Sequence, residues 1–266
     1  AGQAASDEAA QQVLEREPTH AGAQRALERL IGDRSQRQRI ATLLEPLYDG
    51  QGAWSDLARI LRVQLEDVTE AGPRMGLLMR LAALEEEKLR SAEGAFAALA
   101  DAVVTDPSDT HVREELARVA TMRGADAERA EVLERAVSRA EGSTQLQAEL
   151  LFELAQVWDD RVGDAARAES AYRRLVQVDG DNPDTVLPAA RALERLHLAR
   201  EAHAELADDF RLQIRLELDG DKRRELLSRL ATLQEDTLGD AAGAVATHRR
   251  RLEDDPADVE ALRSLE

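Results

Sequence analysis

Leu77-Leu78-Met79-Arg80-Leu81-Ala82 returns as Leu150-Leu151-Phe152-Glu153-Leu154-Ala155, and again as Leu226-Leu227-Ser228-Arg229-Leu230-Ala231. Leu81, Leu154 and Leu230 stand 73 and 76 residues apart. The apolar columns stay in step beyond the match, first as Leu84, Val157 and Leu233, then as Leu89, Val162 and Leu238. Spacings of i, i+1, i+4 and i+7 lay these residues along one helical stripe. A helical stripe copied at a fixed period predicts stacked supersecondary units, each burying its apolar face on the next.

Every copy then breaks, at Leu89-Arg90-Ser91, Val162-Gly163-Asp164 and Leu238-Gly239-Asp240. Gly just past a helix adopts the left-handed conformation, and Ser or Asp after it caps the next helix. That next helix carries Ala95, Leu99, Ala102 and Val103 in the first copy, Ala168, Tyr172, Leu175 and Val176 in the second, and Ala244, His248, Arg251 and Leu252 in the third. It ends at Asp106-Pro107-Ser108-Asp109, Asn182-Pro183-Asp184 or Asp255-Pro256-Ala257-Asp258, where Pro halts one helix and Asp caps another. A further helix carries Leu116, Leu193 or Leu265. The unit of about 75 residues thus holds two helical hairpins of about 37, and the chain about 15 helices. A turn at Glu17-Pro18-Thr19-His20 lies farther from Pro107 than this period allows, so a helix near 35–48 reads as inserted.

Composition agrees. The 266 residues are 43% hydrophobic but only 3% aromatic, with 4 Ile and 16 Val, so Ala and Leu dominate the apolar set. These are helix formers, and strands prefer β-branched and aromatic residues. There is no cysteine, which removes disulfides and thiol chemistry. No apolar run approaches the ~20 residues of a membrane span. The net charge of −18 disfavours nucleic acid and anionic membrane surfaces, and allows a basic partner. Lys88 and Lys222 are the only lysines among 35 basic residues. Without cysteine the compartment stays open: cytoplasmic is favoured, and periplasmic follows if a signal peptide was removed.

Leu154-Ala155, Trp158, Gly163-Asp164, Ala168, Tyr172 and Asp179 resemble a tetratricopeptide repeat. Leu230-Ala231, Gly239-Asp240, Ala244 and Asp255-Pro256 are similar, as are Leu81-Ala82, Ala95 and Asp106-Pro107. The chain departs from the family in placing Ala after the first Leu, in one extra residue before the corner, and in shifting the middle proline to Pro183. The resemblance implies an all-α fold, a right-handed solenoid of antiparallel helices. It would run as one array over 1–266, with units near 1–50 (partial, plus the extra helix), 51–122, 123–198 and 199–266. The last helix reads as cut, which suggests a segment of a longer array or a homo-oligomer through uncapped ends. The resemblance also implies a partner on the concave face, lined by the first helix of each hairpin. Mapped here, that face holds Met79, Ala83, Glu86 and Glu87, then Phe152, Gln156, Asp159 and Asp160, then Ser228, Thr232, Glu235 and Asp236.

An acidic pair recurs on it as Glu86-Glu87, Asp159-Asp160 and Glu235-Asp236. Each sits near a helix C-terminus, where the macrodipole disfavours negative charge by roughly 0.3–1 kcal/mol. The pairs read either as a stripe accepting Arg or Lys, or as solvated helix ends copied with the repeat. Phe152 is the candidate apolar anchor. The family's clamp for acidic tails needs Lys and Asn on this face, which these positions lack.

Catalytic signals are few. Asp254-Asp255-Pro256-Ala257-Asp258 spells the DDxxD of all-helical prenyl-transfer enzymes, whose carboxylates hold Mg²⁺–diphosphate on one helix face. Pro256 places it instead in a turn. The five His have no metal-ligand spacing, and His197, His203 and His248 occupy packing columns. The reading is a non-enzymatic protein-interaction scaffold of a bacterial assembly, binding a peptide or helix and needing no cofactor or metal. An architectural spacer or self-associating rod is the alternative, and a Mg²⁺-dependent prenyl-transfer enzyme a remote one.

Overall fold

The computed structural model describes residues 9, 12–14, 16, 17, 20–32 and 36–266. The helix expected over 6–17 and the turn through Pro18 and Thr19 lie largely outside the described residues. Among those described, every regular element is helical. The α-helices are α1 Ala21–Leu30, α2 Arg37–Gln51, α3 Trp54–Asp67, α4 Ala71–Glu87, α5 Ala92–Thr105, α6 Thr110–Arg123 and α7 Asp126–Arg139. They continue with α8 Thr144–Gln156, α9 Ala165–Asp179, α10 Pro183–Ala199, α11 His203–Leu216, α12 Gly220–Thr232, α13 Ala241–Asp254 and α14 Val259–Ser264. The chain forms two compact units, Ala1–Val132 and Leu133–Glu266. Within each, the consecutive helices α1 to α6 and α8 to α14 pack on one another through short connections, as antiparallel hairpins do.

The repeated leucines form the core. Leu78, Leu81, Leu151, Leu154, Leu227 and Leu230 are all buried, and so are Leu116 and Leu193. Truncating one of these to Ala costs about 2–5 kcal/mol. Alanines fill the close approaches, with Ala95, Ala168 and Ala244 nearly inaccessible.

The corners are built as the sequence reading expects, with one addition. Gly163 and Gly239 take φ of 78° and 63°. Ser91, Asp164 and Asp240 cap the following helices, accepting from the N–H of Gly94, Arg167 and Gly243 at 3.0, 3.0 and 2.9 Å. The extra residue before each corner is absorbed as one widened turn. Val157–Val162 and Leu233–Leu238 are π-helical, continuing α8 and α12. In the first copy the N–H of Leu89 reaches back five residues to the Leu84 carbonyl, at 3.1 Å. Such bulges accommodate a one-residue insertion without breaking the helix.

The space behind the corner varies in a coupled way. Glu85, Trp158 and Gln234 occupy one column, opposite Gly94, Arg167 and Gly243. A Cβ on Gly94 would collide with the buried Glu85 carboxylate, and one on Gly243 would come within 2.6 Å of the Gln234 amide nitrogen. Where Trp158 fills the column, the Arg167 guanidinium stacks over its ring at 4.4 Å.

The inter-hairpin turns also match, except that Asn182 rather than Asp184 caps α10, with Pro183 as its first residue. The helix read as an insertion, α2, holds the same place as α10. Gln64 donates to Glu45 at 2.6 Å, and Gln213 donates to Glu194 at 2.7 Å, 149 residues later. Arg80 and Arg229, again 149 apart, pair with these same glutamates. The proline spacing misleads because five helices, α1 to α5, lie between Pro18 and Pro107 in the chain, where the 75-residue period spans four.

Two corners carry a side chain in the left-handed region: Arg90 at φ 54° and Glu201 at φ 56°, where the other corners have Gly52, Gly124, Gly163 and Gly239. A Cβ there costs about 1–2 kcal/mol. Arg90→Gly and Glu201→Gly are each expected to stabilise the protein by about 1 kcal/mol, and Gly163→Ala to destabilise it by a similar amount. Urea unfolding of the three variants checks this.

Candidate functional site

The first helices of successive hairpins are α2, α4, α6, α8, α10 and α12. Arginine rungs link them within each unit, always reaching back to an acid on the preceding first helix. Arg80 binds Glu45 and Arg118 binds Glu86, each at 2.6 Å, while Arg195 binds Asp159 and Arg229 binds Glu194. The α4–α6 rung is a two-pronged fork, with Arg118 donating to both Glu86 oxygens at 2.7 and 2.6 Å and also to Glu115 at 2.7 Å. These bonds hold the Glu86 carboxyl below its ordinary pKa.

The rungs divide the acidic pairs. Glu86 and Asp159 are engaged by arginines, and Glu235 lies 3.0 Å from the His248 imidazole. The second members, Glu87, Asp160 and Asp236, are exposed and form no ion pair among the described residues. Each is one residue on from its partner, a single helical step around, and is left to solvent. Phe152 is half-buried and stands edge-on to Tyr172, with ring centroids 5.9 Å apart, while Gln156 is exposed. Tyr172 is itself buried, and desolvation pushes its phenol pKa up to about 12.

One cleft gathers residues expected on the binding face. Met79, Ala83, Glu86 and Glu87 of α4 line a cavity of about 370 Å³ together with His111, Glu115 and Arg118 of α6. Ala83 keeps the cleft open, and Met79 supplies a deformable apolar wall. A second cleft, of about 540 Å³, lies among α10, α11 and α12, where Arg195 and Arg229 line it beside Leu198. Leu198 is a large apolar side chain left 57% exposed.

The sequence reading missed the arginines of the rungs. Their signal lay in the repeated hexapeptide, where Arg80 and Arg229 fill the same place. The acid partners are 32 to 36 residues away, so no local pattern joins them.

The DDxxD string is divided between elements. Asp254 ends α13 and pairs with Arg223 at 3.0 Å, and Asp255 pairs with Arg224 at 3.5 Å. Asp258 caps α14, accepting from Ala261 at 3.0 Å, and binds Arg251 at 2.9 Å. The carboxylates face three different arginines rather than one shared point.

His197 does more than pack. It is 1% exposed, with Nδ1 on Asp209 of α11 and Nε2 3.3 Å from Glu169 of α9. Arg200 and Arg173 close the cluster on Glu169, at 2.7 and 3.0 Å. Burial pushes the Asp209 carboxyl up to about 6, against the opposing bond from His197.

No family model matches the chain, and no curated protein matches it. Solved structures do. The C-terminal part of a TPR repeat-containing protein from Cytophaga hutchinsonii aligns over 96% of this chain and 98% of its own, at 14% identity and a TM-score of 0.39. MamA protein aligns over 71% of this chain and 96% of its own, at 16% identity and a TM-score of 0.37. A structure of Naa15/Naa10 bound to HypK-THB aligns over all of this chain and 39% of its own, at 14% identity and a TM-score of 0.41.

The Asp209 shift has a signed consequence. The folded state holds a proton that an unfolded Asp, with a pKa of about 3.9, has already released. Stability therefore falls as pH rises from about 4 to about 6, then levels. Asp209→Asn is expected to flatten this window, which urea midpoints measured across it will show.

Proposed function

We propose that this tetratricopeptide-like helical repeat is a non-enzymatic protein-interaction scaffold of a bacterial assembly, taking a peptide or helix with basic side chains along its first helices. The observation that carries the reading is the α4–α6 cleft. It brings Met79, Ala83 and the unpaired Glu87 to one concavity, between helices fixed by the Glu86–Arg118 fork. An apolar ligand side chain would sit against Met79, and a ligand Arg or Lys would take Glu87. Within the second unit, Asp160 and Asp236 repeat the same exposed acid on the π-helical turns that continue α8 and α12. Phe152 and Gln156 on α8 complete the predicted contact set. Glu86, Asp159 and Glu235 act indirectly, by fixing or flanking these acceptors. The binding needs no cofactor, because it rests on charge, shape and apolar contact alone.

A purely architectural role is the second reading. It is favoured by the use of Glu86 and Asp159 as rungs, since acids retained for packing need no ligand.

Selection from a random peptide library separates the two. The scaffold reading expects enriched peptides that combine Arg or Lys with Leu-type side chains, and that bind less tightly as salt is raised. Glu87→Lys, Asp160→Lys and Asp236→Lys together are expected to weaken those peptides at least tenfold. The unfolding midpoint should barely move, because exposed unpaired charges contribute within about 0.5 kcal/mol. No enrichment, or binding indifferent to the triple variant, leaves the spacer reading standing.

A further inference from the structure

The 149-residue register that matches Glu45 to Glu194 also matches a face away from the cleft just described. In the first unit, α3, α4 and α5 enclose a second cavity of about 380 Å³. Its floor is apolar, with Leu65, Leu78 and Ala98 buried. Its charged lining is Glu66 and Asp101 with Arg62 and Arg74, of which Arg62 is paired with Glu85 and Arg74 donates to the Leu65 carbonyl at 2.8 Å. Asp101 is exposed and its carboxylate has no partner among the described residues, while Glu66, shared with Arg37, keeps 59% of its side chain exposed.

In the second unit the register places Arg215 and Arg250 at these two rim positions. The sign of both charges is reversed. Arg250 and its neighbour Arg249 are exposed on α13 and unpaired among the described residues, in a chain whose acids otherwise engage most of its arginines. Val245, one turn before Arg249, is 36% exposed. An apolar knob followed by two free cations thus stands on one helix, and an apolar cleft with the free acid Asp101 at its edge lies in the other unit, Asp101 holding the place that Arg250 holds in the register.

We propose that the α3–α5 face of one copy docks α13 of a second copy, with Val245 over the cleft and Arg249 and Arg250 on Asp101 and Glu66. The net charge of −18 opposes the approach of two copies at a distance. At physiological salt the screening length is about 8 Å, so the charges in contact decide the outcome. The two faces differ, so the contact is head-to-tail, and a pair of copies keeps one free face of each kind.

Sedimentation equilibrium at physiological salt tests this directly. The wild-type chain is expected to show a mass that rises with concentration. Glu66→Arg with Asp101→Arg makes both faces basic, and Arg215→Glu with Arg249→Glu and Arg250→Glu makes both acidic. Each variant should weaken association about tenfold or more, as loss and reversal of two exposed ion pairs implies. An equimolar mixture of the two should regain it, because the faces then complement each other. Circular dichroism melts confirm that both variants fold, as exposed substitutions should. A wild-type mass independent of concentration overturns the proposal. So does association that persists in both variants, or a mixture that fails to regain it.

Discussion

Within each unit the first helices are held in register by arginines that reach back to an acid one hairpin earlier. Each pair is partly exposed and worth at most about 1 kcal/mol, so the forks do not supply the stability. The buried leucine columns do that. What the forks add is direction: the guanidinium is planar and donates in a fixed geometry, so it fixes the rotation of one helix against another. The Arg118 fork, with both prongs on Glu86, is the fullest case. Near-exclusion of lysine from the chain fits this use, since a point charge on a flexible stem cannot set an angle.

The same forks decide which acids are open to a partner. An acidic pair near a helix end looks like one feature in the sequence. Its two members stand one helical step apart, and in two of the three copies an arginine of the next first helix takes the first member and leaves the second exposed. Glu86 and Asp159 are thereby spent on the fold, and Glu87 and Asp160 remain. The widened π turns at the ends of α8 and α12 carry the acids of the second and third copies, so the extra residue at each corner also sets where those acids point.

Internal repetition supplies its own controls. Glu85 with Gly94, Trp158 with Arg167, and Gln234 with Gly243 are three solutions to one packing space, and each change on one helix is met by a change on its neighbour. Arg90 and Glu201 occupy a conformation that other corners give to Gly, so that corner is fixed by the flanking helices and not by its own residue. Where equivalent positions differ with no such compensation, as at Asp101 and Arg250, packing does not explain the difference, and surface chemistry does.

Helices, corners, caps and the apolar columns were legible in the sequence because each depends on residues within one or two turns of each other. Gly163, Asp164 and the leucines of the repeated hexapeptide carry that information locally. The place of α2 was not legible from proline spacing, because proline marks a helix start without saying which helix of a hairpin begins. The forks, the buried His197–Asp209–Glu169 cluster and the division of the acidic pairs were decided only by the tertiary structure. Their partners are 12 to 36 residues apart, on different helices, and no local spacing encodes which side chains will meet when those helices pack.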